Sequence, residues 1–384
     1  MNYRTLGRTG MQASEVGLGC EHLQGLPYSQ VKEVVDAALE CGINIFDVFM
    51  SEPQVRLNLG RALKGRREQV LIQGHIGAAW INGQYERTRD LALCERFFFD
   101  LLERLGTDYI DIGMLHFVDT AEDFERVFAP GGLMDYAQQL KAKGVIRAIG
   151  MSSHDPQSAT RAVETGWLDV LMFSLNPAYD LLPEDTLIDD LFVPASYQKE
   201  GLCGINPVRE ELYRTCERHG TAITVMKGMA AGSLLSAEMS PFGVALTPAQ
   251  CIHYALTRPA VCSVLAGAKT AQEVKSSAAY ETAGERERDY SLILSSTPKY
   301  SMKGRCMYCN HCLPCPSHID IAQVQKYLDL AQSAKEVPDT VRAHYGALER
   351  HAQDCIACGS CEGNCPFSVP VIERMEQAKE IFGF

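Results

Sequence analysis

Two sets of four cysteines stand near the end of this 384-residue chain. One is Cys306, Cys309, Cys312 and Cys315, followed by Pro316; the other is Cys355, Cys358, Cys361 and Cys365, followed by Pro366. A Cys-x2-Cys-x2-Cys run can ligate three irons of one cubane cluster, while the cysteine that leads into proline reaches across to the other. The spacing predicts two [4Fe–4S] clusters. Cys306, Cys309, Cys312 and Cys365 would hold one, and Cys355, Cys358, Cys361 and Cys315 the other. The competing reading is a pair of four-cysteine zinc sites, which would not require the third cysteine of each run. The first set closes with two residues before its last cysteine, where the usual cluster run has three.

A second group of ionisable residues lies in the first three quarters of the chain. Four of the six histidines there, His22, His75, His116 and His154, follow short apolar runs, and Glu21, Asp47 and Glu52 are close to them in sequence. Histidine titrates near neutrality, so such a set can move protons or bind a metal. Asp47, Glu52, His75 and His116 could work as acids and bases, with burial raising the carboxyl pKa. The same two carboxylates and two imidazoles also suit a mononuclear Zn, Fe or Mn ion, with Glu21, His22 and His154 as further ligands or substrate contacts.

Eight strand-like segments position these residues: 16–19, 43–47, 70–73, 110–115, 145–150, 170–173, 222–226 and 262–266. Helical periodicity fills the gaps, as at 29–41, 88–105, 156–165 and 270–283. Strand and helix in eightfold alternation predict an α/β fold, a (β/α)8 TIM barrel, whose active site lies where the strands end. Segments 3–6 and 10–13 around Gly7-Arg8-Thr9 read as an N-terminal hairpin plugging the barrel bottom. A long connection, 175–206, reads as a substrate lid. We expect the barrel to span 1–285 and a small, mainly helical cysteine domain to span 286–384, with helices at 319–333 and 340–353.

Residues 1–285 resemble the aldo-keto reductase superfamily. The resemblance is carried by Tyr3-Arg4-Thr5-Leu6-Gly7-Arg8-Thr9-Gly10, Gly42-Ile43-Asn44-Ile45-Phe46-Asp47, 59–67, 105–111, Leu115-His116 and Gly267-Ala268-Lys269-Thr270. With its tail, the chain is similar to the ferredoxin-containing branch. The resemblance implies a reductase with an Asp, Tyr, Lys and His at its centre. Asp47 and His116 match two of these positions; Glu52 stands at the Tyr position and His75 at the Lys position. It also implies NADP(H), held through Ser152, Lys227, Gly267, Lys269, Thr270 and Glu273. Two of the carboxamide positions differ, with Ser153 in place of Asn and Met172 in place of Gln.

The sequence thus predicts an iron–sulfur oxidoreductase acting on a small polar carbonyl or hydroxyl substrate. The alternative is a metal-dependent lyase or hydrolase on the barrel rim, with purely structural clusters. A net charge of −12 argues against a nucleic-acid partner. No run of 18 apolar residues suggests a membrane span, and the N-terminus lacks a signal core. A cytoplasmic location is expected, as is a protein electron donor, a ferredoxin or a flavoprotein.

Overall fold

The computed structural model describes residues 1–181, 205–296, 304, 306–334 and 336–384. Its strands are β1 (Tyr3–Thr5), β2 (Gln12–Ser14), β3 (Val16–Gly19), β4 (Ile45–Val48), β5 (Leu71–Ile76), β6 (Ala78–Ile81), β7 (Gln84–Arg87), β8 (Ile110–Leu115), β9 (Ile146–Ser153), β10 (Val170–Ser174), β11 (Ala222–Met226) and β12 (Val261–Gly267). Eight of them close a parallel barrel in the order β10-β11-β12-β3-β4-β5-β8-β9. These strands are buried on both faces, which is why they read as continuous apolar runs. β1 and β2 pair antiparallel. Leu6, Met11 and Ala13 from this hairpin fill the barrel interior with Ile45, Ile112, Met114 and Met172.

Helices wrap the outside: α1 (Tyr28–Glu40), α2 (Pro53–Ala62), α3 (Leu91–Leu105), α4 (Ala121–Phe128), α5 (Leu133–Ala142), α6 (Pro156–Glu164), α7 (Pro177–Asp180), α8 (Pro207–His219), α9 (Pro248–Leu256), α10 (Ala271–Ala278), α11 (Glu285–Arg288) and α12 (Ser291–Ser296). The tail adds α13 (Ile321–Gln332), α14 (Asp339–Gly346), α15 (Ser360–Asn364) and α16 (Val371–Phe382). Most of the connection read as a lid, 182–204, lies outside the described residues, as does Cys203.

β6 and β7 form an unexpected antiparallel hairpin directly after β5, with Trp80 facing Tyr85. Asn82 and Gly83 both have positive φ, 53° and 78°. That pairing makes the tight turn whose twist matches two antiparallel strands. The hairpin carries Tyr85 back over the rim.

The tail docks against the barrel through α8, α9 and the turn after α9. His344 Nδ1 lies 3.1 Å from Glu217 Oε1. Arg258 and Tyr290 both donate to the Met307 carbonyl, at 2.7 and 2.5 Å. Within the tail, Asp329 accepts from Tyr308 at 2.6 Å and pairs with Arg374, tying α13 to the first cysteine loop and to α16.

Candidate active site and cysteine cavities

Asp47 is the next-to-last residue of β4, and His75 lies within β5 rather than after it. Strand neighbours β4 and β5 bring His75 Nε2 to 2.9 Å from Asp47 Oδ1. Strand neighbours β5 and β8 bring His116, just past β8, to the other side of the same ring, with the two Nδ1 atoms 2.8 Å apart. The Tyr85 hydroxyl closes the series 2.5 Å from His116 Nε2. All three inner residues are buried. Phe49 covers them, stacked on His116 at 5.7 Å and edge-on to His75 and Tyr85.

Hydrogen-bond roles follow by elimination. The Asp47 carboxylate only accepts, so His75 Nε2 carries a proton. With both rings in their neutral form, His75 accepts at Nδ1, His116 donates from Nδ1, and His116 Nε2 accepts from Tyr85. Gln73 Nε2 adds a second donor to Asp47 Oδ1 at 3.0 Å. Burial, followed by the facing His75, holds the His116 pKa well below the ordinary imidazole value. Burial also raises the Tyr85 phenol, with Arg87 and Arg89 opposing. The set is a continuous path from a half-exposed phenol to a buried carboxylate.

Glu52 is not brought into this path. Its carboxylate caps α2, accepting from the Gln54 and Val55 N–H groups at 2.9 and 2.6 Å. Pro53 at the first helical position needs no such partner. His154 pairs instead with Asp119 at 2.9 Å. Burial works to raise the Asp119 pKa, but bonds from His154 and Ser153 outweigh it and leave the pKa lowered. His22 packs over the end of β12, where a Cβ on Gly267 would lie 2.5 Å from the imidazole. Glu21 sits beside it in a short turn and acts on Tyr85 only through its charge.

The geometry of the described residues does not support the expected rim metal. Among the described residues, no three His, Cys, Asp or Glu side chains are arranged to hold one metal ion. The two histidines bond to each other rather than converging, and Glu52 is spent on its helix.

The positions matched to a dinucleotide are mixed. Thr270 caps α10, and the Glu273 carboxylate accepts the Lys269 N–H at 2.6 Å, so Glu273 supports the loop. Lys269 and the first turn of α10 remain suited to a phosphate. Ser152 accepts from the Phe117 N–H, leaving its own proton to donate. Ser153 donates to Asp119, and the Met172 sulfur takes a Gln73 N–H. Lys227 has a positive φ of 58°, and its carbonyl accepts from Asn176. The donor set fits the phosphate end of a dinucleotide and only one of three carboxamide contacts.

In the tail, the cysteines line two adjoining cavities. One is walled by Cys306, Cys309, Cys312 and Cys365. The other is walled by Cys315, Cys355, Cys358 and Cys361, with Cys312 between the two. A cubane places each thiolate on a different iron, so its ligands ring a cavity instead of meeting at a point. The residues fit that group.

The Aldo/keto reductase family matches residues 15–244, and a 4Fe-4S dicluster domain matches residues 305–370. The chain belongs to the aldo/keto reductase family and carries an iron–sulfur domain at its C-terminal end. It is 26% identical over 284 residues to the uncharacterized oxidoreductase YqkF of Bacillus subtilis, covering 72% of this chain and 89% of that protein. It is 27% identical over 233 residues to an NADH-specific methylglyoxal reductase of Escherichia coli, covering 56% and 67%. An aldo-keto reductase from Bacillus halodurans, in its holo form, superposes with a TM-score of 0.59 at 24% identity, over 75% of this chain and 94% of that one. This protein is therefore an oxidoreductase on a closed eight-stranded barrel. Among its described residues, no helix is long and apolar enough to cross a membrane.

Proposed function

We propose that this oxidoreductase interconverts a carbonyl and a hydroxyl on a small polar substrate and moves the proton along Tyr85, His116, His75 and Asp47. The carrying observation is the unbroken path of 2.5, 2.8 and 2.9 Å contacts from the rim to the buried carboxylate. Glu52 and His75 stand at the family's Tyr and Lys positions. Glu52 acts on this reading through α2, and the hairpin phenol of Tyr85 faces the substrate in its place.

The proton balance works in both directions. In oxidation, Tyr85 passes its proton to His116 Nε2, His116 passes one from Nδ1 to His75, and the phenolate takes the substrate's hydroxyl proton. His75 becomes an imidazolium against the Asp47 carboxylate. In reduction the loaded relay runs backward, and Tyr85 protonates the carbonyl oxygen. Phe49 keeps water from short-circuiting the two rings. NADP(H), if bound by Lys269, Thr270 and Ser152, would supply or accept the hydride.

The tail would hold two [4Fe–4S] clusters, on Cys306, Cys309, Cys312 and Cys365 and on Cys355, Cys358, Cys361 and Cys315. Such clusters would supply one-electron exchange with a ferredoxin or flavoprotein. The division at 285/286 and a cytoplasmic location complete the reading. The full chain, reconstituted anaerobically, should reduce methylglyoxal or another small aldehyde with NADPH, NADH or reduced ferredoxin. No turnover with any donor, or full turnover in His75→Ala, would refute the reading.

A further inference from the structure

Arg258 is an unusual charge. Its side chain is about fully buried, at 1% exposure, in the turn between α9 and β12. Among the described residues no carboxylate lies within ion-pair distance of it. It donates to the Thr257 hydroxyl at 3.0 Å and to the Met307 carbonyl at 2.7 Å, and it lies over the Tyr254 and Tyr308 rings. Its Nε is buried with no partner at all. The buried Asp180 carboxylate acts on it only at longer range and is itself paired with Arg209, and a buried cation with no close counter-charge is strongly disfavoured. Met307 and Tyr308 belong to the wall of the Cys306, Cys309, Cys312 and Cys365 cavity. Four thiolates around an iron–sulfur core would bring the missing negative charge to that place.

Among the described residues that line the second cavity there is no arginine or lysine. Cys358 is exposed, and Ile356 between its ligands is 66% exposed. The two sites therefore differ in burial and in nearby charge, both of which set a cluster's reduction potential.

We propose that Arg258 holds the cavity of Cys306, Cys309, Cys312 and Cys365 at a higher reduction potential than its neighbour, making it the inner, electron-receiving site of the pair. The proposal rests on the reading of the two cavities as cluster sites. A cluster grows more negative on reduction, so an adjacent guanidinium favours the reduced form. When an electron moves inward, the outer site is oxidised by one electron and the inner one is reduced by one. No proton moves, because a guanidinium stays charged in both states. An outside one-electron donor, a reduced ferredoxin or dithionite in the test tube, reloads the outer site.

The test is a potentiometric titration of the anaerobically reconstituted full chain with dithionite, followed by electron paramagnetic resonance. Two one-electron transitions are expected, separated by at least a tenfold difference in equilibrium constant, ~59 mV. The higher one should not move between about pH 6.5 and about pH 8.5. Arg258→Gln should lower that transition by roughly tenfold, ~59 mV, and leave the other in place; Arg258→Lys should retain most of the separation. A single wild-type transition overturns the proposal even if Arg258→Gln does not fold. So do unchanged potentials in an iron-loaded Arg258→Gln. Failure of the wild-type chain to take up iron removes the cluster reading itself, a distinct result.

Discussion

The Nδ1 atoms of His75 and His116 face each other at 2.8 Å, so one ring must donate and the other accept. The contact exists because β5 and β8 are neighbours in the barrel, and each histidine comes from one of them. Asp47 fixes which ring donates. His75→Ala removes the link between Asp47 and His116, and kcat should fall by about 10²–10⁴, the usual range for a positioned acid or base. Steady-state kinetics of the purified variant will check it.

Tyr85 holds the outer end of the path. Tyr85→Phe keeps the ring against Phe49 and removes only the hydroxyl. Its kcat should drop by about 10²-fold or more while KM changes little. An unchanged kcat would place the phenol outside the chemistry.

Stability should fall in mild acid. Burial, followed by Arg288, pushes His253 down to about 4, and burial holds His116 low as well. The unfolded chain takes up protons at about pH 6.5, the ordinary imidazole value. It therefore binds more protons than the fold below that pH. The contribution is intact above about pH 6.5 and is lost as pH falls toward the folded values. Urea unfolding at several pH values should show this slope, and His253→Gln should flatten part of it.

Glu52 offers a contrast between cap and catalyst. Glu52→Ala strips two N–H groups of α2 of their acceptor and should cost ~0.5–2 kcal/mol of stability. Glu52→Asn, another good cap, should recover most of it. The pH–rate profile should be the same in both variants, whereas a catalytic Glu52 would shift it.

The crossed cysteines give an iron count. Cys365→Ala removes a ligand from the cavity of Cys306, although 58 residues lie between the two in sequence. Iron should drop from about eight toward about four per chain. Elemental analysis of the anaerobically purified variant measures it. Loss of iron from the other cavity instead would mean that the ligands are not exchanged between the runs.

Much of the fold is legible in the sequence because both its signals are local. Segments 16–19, 110–115 and 222–226 are read to the residue, since apolar runs bounded by turns mark buried strands. Segment 70–73 is read short because Gly74 looks like a stop. In the fold Gly74 is there for space: a Cβ would lie 2.8 Å from Leu101. His75 and His116 stand out by type and place, but their mutual bond depends on which strands become neighbours. Glu52 carries a second, local signal: its carboxylate caps α2, and Glu52-Pro53 is itself a helix start. Tyr85 is missed although Asn82-Gly83 announces a hairpin; nothing local says that the hairpin folds back toward His116. The dicluster domain is readable because three of the four cysteines assigned to each site fall within one stretch of seven residues.

The β6–β7 turn is self-contained: its strands pair only with each other, outside the closed barrel. Its phenol can thus be lengthened, shortened or exchanged without disturbing the floor beneath it. Selection, or a protein engineer, could retune what this enzyme accepts by grafting ten residues, leaving the imidazole pair as a fixed socket for interchangeable tips.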